Sequence, residues 1–168
     1  MKFKQFIKKL KLTVIENFVY ESVAANTNIN LTDGFVLKVF DQENPSGIGL
    51  IDRNCTKESC CYALFSEKKL AHYTLLYKKN FLSEQLKFDN DYYVVASFTY
   101  PEFRGRNLYG FVLAYLVNKY SDKKIIGFVD ITNNASIKAF MKAGFICKYK
   151  FKLIRLFGLK IYLKKYAC

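Results

Sequence analysis

Hydrophobic positions change their spacing several times along the second half of the chain, and each change marks a predicted element. Short apolar runs alternate there with segments in which apolar residues recur at helical spacing. This pattern predicts strands at 92–99, 125–131 and 145–152, with helices at 105–121 and 135–143 between them. Strands that alternate with helices are typical of an α/β unit.

The flanking residues predict strands that pair antiparallel, which makes the sheet mixed. Strands are predicted at 12–24, 60–66, 69–78 and 160–164. The second and third of these form a hairpin, and the last pairs with the strand that begins at Phe145. Residues 2–11 predict a short helix, whereas 35–40 fits either a strand or a short buried helix. The expected fold class is α/β, with a mixed, largely antiparallel central sheet flanked by helices, in a single domain over 1–168.

Composition excludes a disordered chain, because 51% of the residues are hydrophobic and 17% are aromatic. Charged or polar residues interrupt every apolar run before it reaches the length of a membrane-spanning helix. The segment Met1–Leu12 is too densely charged for the apolar core of a signal peptide. We therefore expect a cytoplasmic protein. The basic N-terminus also has apolar residues at helical spacing, so it fits either a membrane-surface contact or a helix docked on the domain.

The net charge of +13 comes from 27 basic and 14 acidic side chains. Nucleic acid, an anionic membrane surface or phosphorylated small molecules could each explain such an excess. Much of it is lysine beside abundant asparagine, tyrosine and phenylalanine, a mixture that compositional bias also produces. Charge alone therefore does not choose among the three partners.

The five cysteines predict free thiols and no metal site. They are Cys55, Cys60, Cys61, Cys147 and Cys168. No Cys-x-x-Cys pair occurs, and the single histidine, His72, lies eleven residues after Cys61. In a reducing compartment such cysteines stay unpaired.

A basic turn between a predicted strand and a predicted helix carries the clearest chemistry. Arg104 and Arg106 flank Gly105 at the point where the helix begins. Free backbone N–H groups, the positive end of the helix dipole and two guanidinium groups meet there. The arrangement predicts a site for a pyrophosphate group.

Two motifs resemble the signatures of the GNAT acyltransferase superfamily, and together they cover about residues 92–152. The first, Arg104-Gly105-Arg106-Asn107-Leu108-Tyr109, follows the lead-in Tyr100-Pro101-Glu102-Phe103. The second runs from Asn133-Asn134-Ala135-Ser136 to Phe140 and Gly144-Phe145. Each motif lies at a predicted junction of strand and helix, in the order that the superfamily shows.

The resemblance implies acetyl-CoA as the cofactor and a set of residues that bind it. Those residues are Phe98, Thr99, Arg104, Gly105, Arg106, Asn107, Leu108, Tyr109, Gly110, Asn133 and Ser136. In this superfamily the pantetheine arm pairs with the exposed edge of the strand that here carries 96–99, beside a splayed gap in the sheet. Asn133 would support the arm or cap a helix, and Ser136 would line the cofactor or pack within the helix.

Three residues depart from the superfamily pattern. Asn107 replaces a glycine, and asparagine is the non-glycine residue that best tolerates a positive φ. Tyr109 replaces a small residue, so its side chain either points away from the turn or crowds the phosphates. Phe140 stands where many members have a tyrosine that protonates the departing thiolate. The CoA thiol, with a pKa of about 8.5, could also leave without such an acid.

The general base is the least determined part of the sequence prediction. His72 has a suitable ordinary pKa and sits on the strand that neighbours the cofactor strand in the superfamily; a structural histidine is the alternative. Glu102 could act through a water molecule or be a solvated loop carboxylate. Tyr73 and Tyr100 are further candidates for the base, and the sequence does not favour either of them.

These observations predict an acetyltransferase that moves an acetyl group from acetyl-CoA to the amine of a small acceptor by direct attack. The basic charge favours an anionic acceptor, such as a nucleotide-linked amino sugar. A catalytically silent CoA-binding protein and a basic nucleic-acid-binding module remain the alternatives, the second motivated by the stretch Lys148–Arg155. The oligomeric state is expected to be monomer or homodimer, without a bound metal.

Overall fold

A mixed β-sheet organises the described residues, which are 12–23, 30–31, 33–41, 59–88 and 92–168 of the computed structural model. Eight strands and three α-helices lie within these ranges. The strands are β1 Leu12–Ser22, β2 Phe35–Phe40, β3 Ser59–Ser66, β4 Lys69–Tyr77, β5 Tyr92–Thr99, β6 Lys124–Asp130, β7 Phe145–Leu156 and β8 Leu159–Tyr166. The helices are α1 Phe81–Leu86, α2 Leu108–Lys119 and α3 Asn134–Lys142, with a 3₁₀ turn at Pro101–Phe103.

The strand order is β2-β3-β4-β5-β6-β1-β7-β8. All pairs are antiparallel except β5 with β6, which run parallel because α2 connects them as a crossover. The earliest described strand, β1, lies in the interior of the sheet between β6 and β7. The expected fold class is confirmed.

Apolar residues cover both faces of the sheet, and adjacent residues of β5 illustrate the division. Val95 packs in the larger cluster with α2 and α3, whereas Val94 packs in a second cluster with Leu86 of α1. Successive side chains of a strand point to opposite faces, so α1 lies on one side of the sheet and α2 with α3 on the other. Asn80 fixes the start of α1 through a reciprocal capping box with Ser83.

The parallel pairing of β5 with β6 ends before either strand does. It runs from Tyr92 opposite Lys124 to Val95 opposite Gly127. Beyond that point β5 stays paired with β4 as far as Thr99, opposite His72, while β6 stays paired with β1 as far as Asp130, opposite Asn17. The two strands therefore separate and leave a gap in the sheet.

Phe140 of α3 lies over the point where the strands separate. Its ring contacts the place that a Cβ of Gly127 would occupy. The ring is 1% exposed and also packs against Tyr20 and Phe145, with centroid distances of 5.3 and 4.8 Å. Gly127 is needed here for the close approach of an aromatic ring to the backbone.

The structure confirms most predicted elements and adds one. Residues 35–40 form a strand, and the predicted hairpins at 60–78 and 145–164 are present. The short helix α1 was not predicted. The expected helix at 2–11 lies outside the described residues, and no described helix has both the length and the apolar content to cross a bilayer.

The prediction of five free cysteines is corrected at two positions. Cys147 on β7 and Cys168 form a disulfide, with a Cα–Cα distance of 6.1 Å. Cys168 follows β8, the neighbour of β7 in the sheet, so the pairing of these strands brings the two residues together. Cys60 and Cys61 are free thiols, and Cys55 lies outside the described residues.

We predict that Gly127→Ala lowers the free energy of unfolding by about 1–3 kcal/mol, because the new methyl group overlaps the Phe140 ring. Chemical denaturation measures the change. A second substitution, Phe140→Leu, should recover part of the loss, since it removes the ring atoms that clash. Additive losses in the double variant would contradict the contact.

Candidate active site

The turn between β5 and α2 adopts two left-handed backbone conformations. Gly105 has φ of +78° and Asn107 has φ of +56°. The expectation that Asn107 tolerates a positive φ is confirmed. At Gly105 no neighbouring atom lies near the position of a Cβ, so the backbone angle, not space, favours glycine there.

The first turn of α2 is open to a ligand on its N-terminal side. Asn107 occupies the N-cap position, yet its side chain makes no capping hydrogen bond. The first N–H groups of a helix have no partner within the helix, and the helix dipole makes this end positive. This helix start can therefore bind an anion.

Two arginines flank this helix start, and contacts within the fold orient both. Arg104 donates a hydrogen bond from Nε to the backbone oxygen of Thr99 at 3.2 Å. The Arg106 guanidinium lies over the rings of Phe35 and Phe103, 5.8 and 5.9 Å from their centroids. Cation–π contacts of this kind hold a guanidinium in place.

A cavity of about 570 Å³ lies between this turn, the end of β5 and helix α3. All eleven residues that the resemblance assigns to cofactor binding line it, from Phe98 and Thr99 through 104–110 to Asn133 and Ser136. The structure thus brings them together at one place.

Four further residues of α3 line this cavity and were missed from the sequence. They are Ala135, Lys138, Ala139 and Lys142. Their positions repeat at three and four residues, the spacing of one helix face, so helical periodicity could have found them. The two lysines add cationic charge to that of the arginines.

A second cavity, of about 330 Å³, occupies the gap between β5 and β6. Its lining includes residues from the α1 side of the sheet, Asn80 and Leu82, and residues from the other side, Tyr109 and Ser136. The cavity therefore passes through the sheet where the strands separate. It shares four lining residues with the first cavity: Ser97, Tyr109, Asn133 and Ser136.

The two cavities differ in charge. Among the described residues, the lining of the first includes four cations, Arg104, Arg106, Lys138 and Lys142, and no acid. The lining of the second includes one acid, Asp130, together with Asn17 and Asn80, and no lysine or arginine within the part of the chain that the structure describes. Hydrogen bonds from the hydroxyl and backbone N–H of Thr132 hold the pKa of Asp130 below its usual range. Asp130 is therefore an ionised carboxylate at neutral pH.

Comparison with known proteins identifies this architecture. No family model and no curated protein matches the chain. Solved structures match over almost its whole length. A proposed GNAT-family acetyltransferase from Novosphingobium aromaticivorans has a TM-score of 0.63 at 14% identity, over 95% of this chain and 68% of its own. The chain has the GNAT fold.

Other structures with the GNAT fold agree. A GCN5-related N-acetyltransferase-like protein from Streptococcus suis has a TM-score of 0.57 at 10% identity, over 92% of this chain and 66% of its own. An acetyltransferase of the GNAT family from Colwellia psychrerythraea has a TM-score of 0.56 at 14% identity, over 100% and 62%. The chain spans about two thirds of the length of these proteins, and the likeness is one of fold.

His72 lines neither cavity of this GNAT fold. The residue is fully buried, with Nδ1 2.7 Å from the Thr99 hydroxyl and Nε2 2.9 Å from the Thr74 hydroxyl. Burial lowers its pKa to about 3. Both ring nitrogens are engaged and the neutral form is strongly favoured, so this geometry fits the structural alternative and not a base that meets an acceptor.

Glu102 also lies away from the two cavities. It is an exposed residue of the 3₁₀ turn and is absent from the lining of both. Tyr73 and Tyr100 do not line them either. The position of Glu102 therefore fits the solvated loop carboxylate that was its alternative.

Asn133 caps α3, which was one of its two expected roles. Its side-chain oxygen accepts a hydrogen bond from the Ser136 N–H at 3.1 Å. Both residues also line the two cavities. Because the side chain already holds the helix start, a contact with a ligand at Asn133 would be additional to the cap. Within the described residues, no group of three or more metal-ligating side chains occurs.

Burial of His72 predicts a specific dependence of stability on pH. In the unfolded chain this histidine has a pKa of about 6.5 and binds a proton below that pH. In the folded protein His72 binds a proton only as the pH approaches its pKa of about 3. Its contribution to stability is complete above the unfolded pKa and falls by about 1.4 kcal/mol per pH unit as the pH drops between these values.

We expect His72→Gln to flatten this dependence, because glutamine keeps a polar group near Thr74 but does not titrate. Denaturant unfolding at pH 7, 6 and 5 measures the free energy of unfolding of each protein. The titration of carboxylates that both proteins share cancels when the two free energies are subtracted. Equal slopes in the wild type and the variant would contradict the assigned environment.

Proposed function

We propose that this protein transfers an acetyl group from acetyl-CoA to an amine. One observation carries the proposal: a cationic cavity at an uncapped helix start shares four lining residues with a second cavity at the gap in the sheet. The phosphates of CoA are anionic and its pantetheine arm is long, extended and rich in amides. The first part of this surface is suited to the phosphates and the second to the arm.

The free edge of β5 gives the arm a place to bind. From Ala96 to Thr99 this strand is paired with β4 but no longer with β6. An extended amide chain can bind to such an edge as an added strand. A backbone N–H of the same edge would then donate to the thioester oxygen and stabilise the negative charge that develops there.

The acceptor amine would enter through the second cavity and attack the thioester carbon directly. This cavity reaches the α1 side of the sheet, opposite the cationic cavity. The ammonium group of the acceptor first releases a proton to water, and the neutral nitrogen then bonds to the carbonyl carbon. The C–S bond breaks, and the proton that the nitrogen loses as the amide forms balances the proton that the departing sulfur takes up. Among the described cysteines none lines either cavity, so nothing supports a covalent acyl-enzyme intermediate.

For the acceptor we propose an amine without an anionic group near its reacting nitrogen. The net charge of the chain predicted an anionic acceptor such as a nucleotide-linked amino sugar. The described cations at the cavities, however, lie where CoA would bind, and Asp130 lies where the acceptor would enter. An ionised carboxylate attracts an ammonium group and repels a phosphate.

The basic stretch that suggested nucleic-acid binding is partly neutralised. Lys148 pairs with Glu21 at 3.6 Å, and Lys150 and Lys152 pair with Glu16 at 3.6 and 2.7 Å. These contacts reduce the free positive charge along β7. The geometry therefore favours acyl transfer over the nucleic-acid alternative.

Thermal unfolding with acetyl-CoA tests cofactor binding. At a hundredfold excess over the dissociation constant, the ligand should stabilise the folded state by about 2.7 kcal/mol. The double variant Arg104→Ala, Arg106→Ala should lose most of this stabilisation, because it removes two phosphate partners. The control Lys160→Ala, Lys164→Ala lowers the net charge equally on β8 and should respond like the wild type. Equal losses of stabilisation in the two double variants would mean that net charge, and not the position of the two arginines, accounts for the effect.

Thiol release with matched amines tests the acceptor. We expect glucosamine to be a better acceptor than glucosamine 6-phosphate, since the two differ by one phosphate group. Asp130→Asn should reduce this preference, because it removes the carboxylate that attracts the ammonium group and repels the phosphate. A preference for the phosphorylated amine would contradict this proposal and support the anionic acceptor that the sequence predicted.

A further inference from the structure

Tyr109 lies at the junction of the two cavities and lines both. It is the second residue of α2, and its ring extends from the helix towards the sheet instead of out over the turn. The ring packs between His72 and Phe140, with centroid distances of 5.6 Å to each. Tyr109 therefore does not occupy the anion site at the start of α2.

A line of hydrogen-bonded side chains connects the Tyr109 hydroxyl to the interior. The hydroxyl is hydrogen-bonded to the Ser97 side chain. Ser97 Oγ lies 2.8 Å from the Thr74 hydroxyl, which lies 2.9 Å from His72 Nε2. His72 Nδ1 in turn lies 2.7 Å from the Thr99 hydroxyl. These contacts fix the phenol at Ser97, on the part of β5 whose edge is free.

Phe140 cannot supply a proton, although it occupies the position where the resemblance predicts an acidic tyrosine. Its ring is edge-on to that of Tyr109 and almost fully buried. The titratable groups that line the cavities are the four cations, Asp130 and Tyr109. Of these, Tyr109 is the neutral acid at the place where the cavities meet.

We propose that Tyr109, on α2, donates the proton that the CoA thiolate takes up as it leaves. Helix α3 has no acid for this step, because Phe140 stands where the resemblance predicts a tyrosine. This inference rests on the proposed function and assigns a residue within it. As the C–S bond breaks, its electron pair goes to sulfur, and sulfur accepts the phenolic proton. The proton that the acceptor nitrogen loses returns to the phenolate, so the enzyme is unchanged after each turnover.

The surroundings of Tyr109 keep the phenol protonated until it is needed. Burial raises its pKa, and the Ser97 hydrogen bond opposes this only in part. His72, the titratable group that packs against the ring, is neutral above a pH of about 3 and adds no charge. Ser97, Thr74 and His72 are positioning residues, because they hold the phenol without reaching sulfur themselves.

The pKa of the thiol of bound CoA tests this role without any acceptor. A donor aimed at sulfur stabilises the thiolate and lowers the thiol pKa. Thiolate absorbance in a pH titration of the CoA complex should give a pKa about one unit higher in Tyr109→Phe than in the wild type. The control Tyr115→Phe removes a phenol of α2 that lines neither cavity, and should titrate like the wild type.

Turnover provides the second readout. With acetyl-CoA, Tyr109→Phe should lower kcat at least about tenfold while the dissociation constant of CoA stays within about twofold. With an acetyl thioester of a more acidic thiol, the loss should shrink, since a good leaving group needs no proton. Ser97→Ala should raise the thiol pKa by less than Tyr109→Phe does, because the phenol stays but loses its hydrogen bond to Ser97.

The outcomes separate this inference from the proposed function. If the wild type does not bind CoA, the proposed function is wrong. If it binds CoA but the thiol pKa is the same in the wild type and Tyr109→Phe, Tyr109 does not reach sulfur and the inference is overturned. A tenfold loss of kcat that is identical for both thioesters would likewise overturn it, because that result indicates a structural role. Circular dichroism of each variant checks that the fold is kept.

Discussion

The candidate site depends on the point at which the hydrogen bonding between β5 and β6 ends. Two parallel strands share four residue pairs and then part, each still held by an antiparallel neighbour. The outer partners keep the separated ends ordered, so the gap has defined walls. Beyond Val95, the only described strand that pairs with β5 is β4. The two cavities and the Tyr109 side chain are all arranged around this opening.

Aromatic packing at the gap explains why the helices sit where they do. Gly127 lets the Phe140 ring approach the backbone closely, and this contact holds α3 against β6. The same ring meets Tyr109 edge-on, so α2 and α3 are joined through two aromatic side chains. An apolar residue at position 140 thus serves packing, while the phenol that faces the cavities comes from the neighbouring helix.

The sequence predicted much of the fold because the pattern of apolar residues is local. Strand β5 and both long helices have short-range periodicity, and the strand-to-helix turn carries recognisable residue types at 104–107. Helix α1 escaped prediction because its six residues are too few to show a period. For the residues predicted to bind the cofactor, proximity follows from the segment 98–110 and from the start of α3, each of which a motif can encode.

The other half of the site could not be predicted in this way. Asn17, Asn80 and Asp130 come from three elements far apart in the chain and meet only because of the strand order. His72 looked suitable as a base because a sequence shows its residue type but not its burial. The direction of the Tyr109 ring depends on the space beneath α2, which residues of β4, β5 and α3 determine together.

The interior position of β1 has a consequence for how the chain folds. Its partners, β6 and β7, lie more than a hundred residues further along the chain. During synthesis β1 therefore remains without these two partners until residues 124–156 have been made. Contacts at such separation slow folding and leave apolar strands exposed meanwhile. The β3–β4 hairpin beside β5 needs only local contacts, whereas the wall of the gap that contains Asp130 needs contacts between residues more than a hundred positions apart.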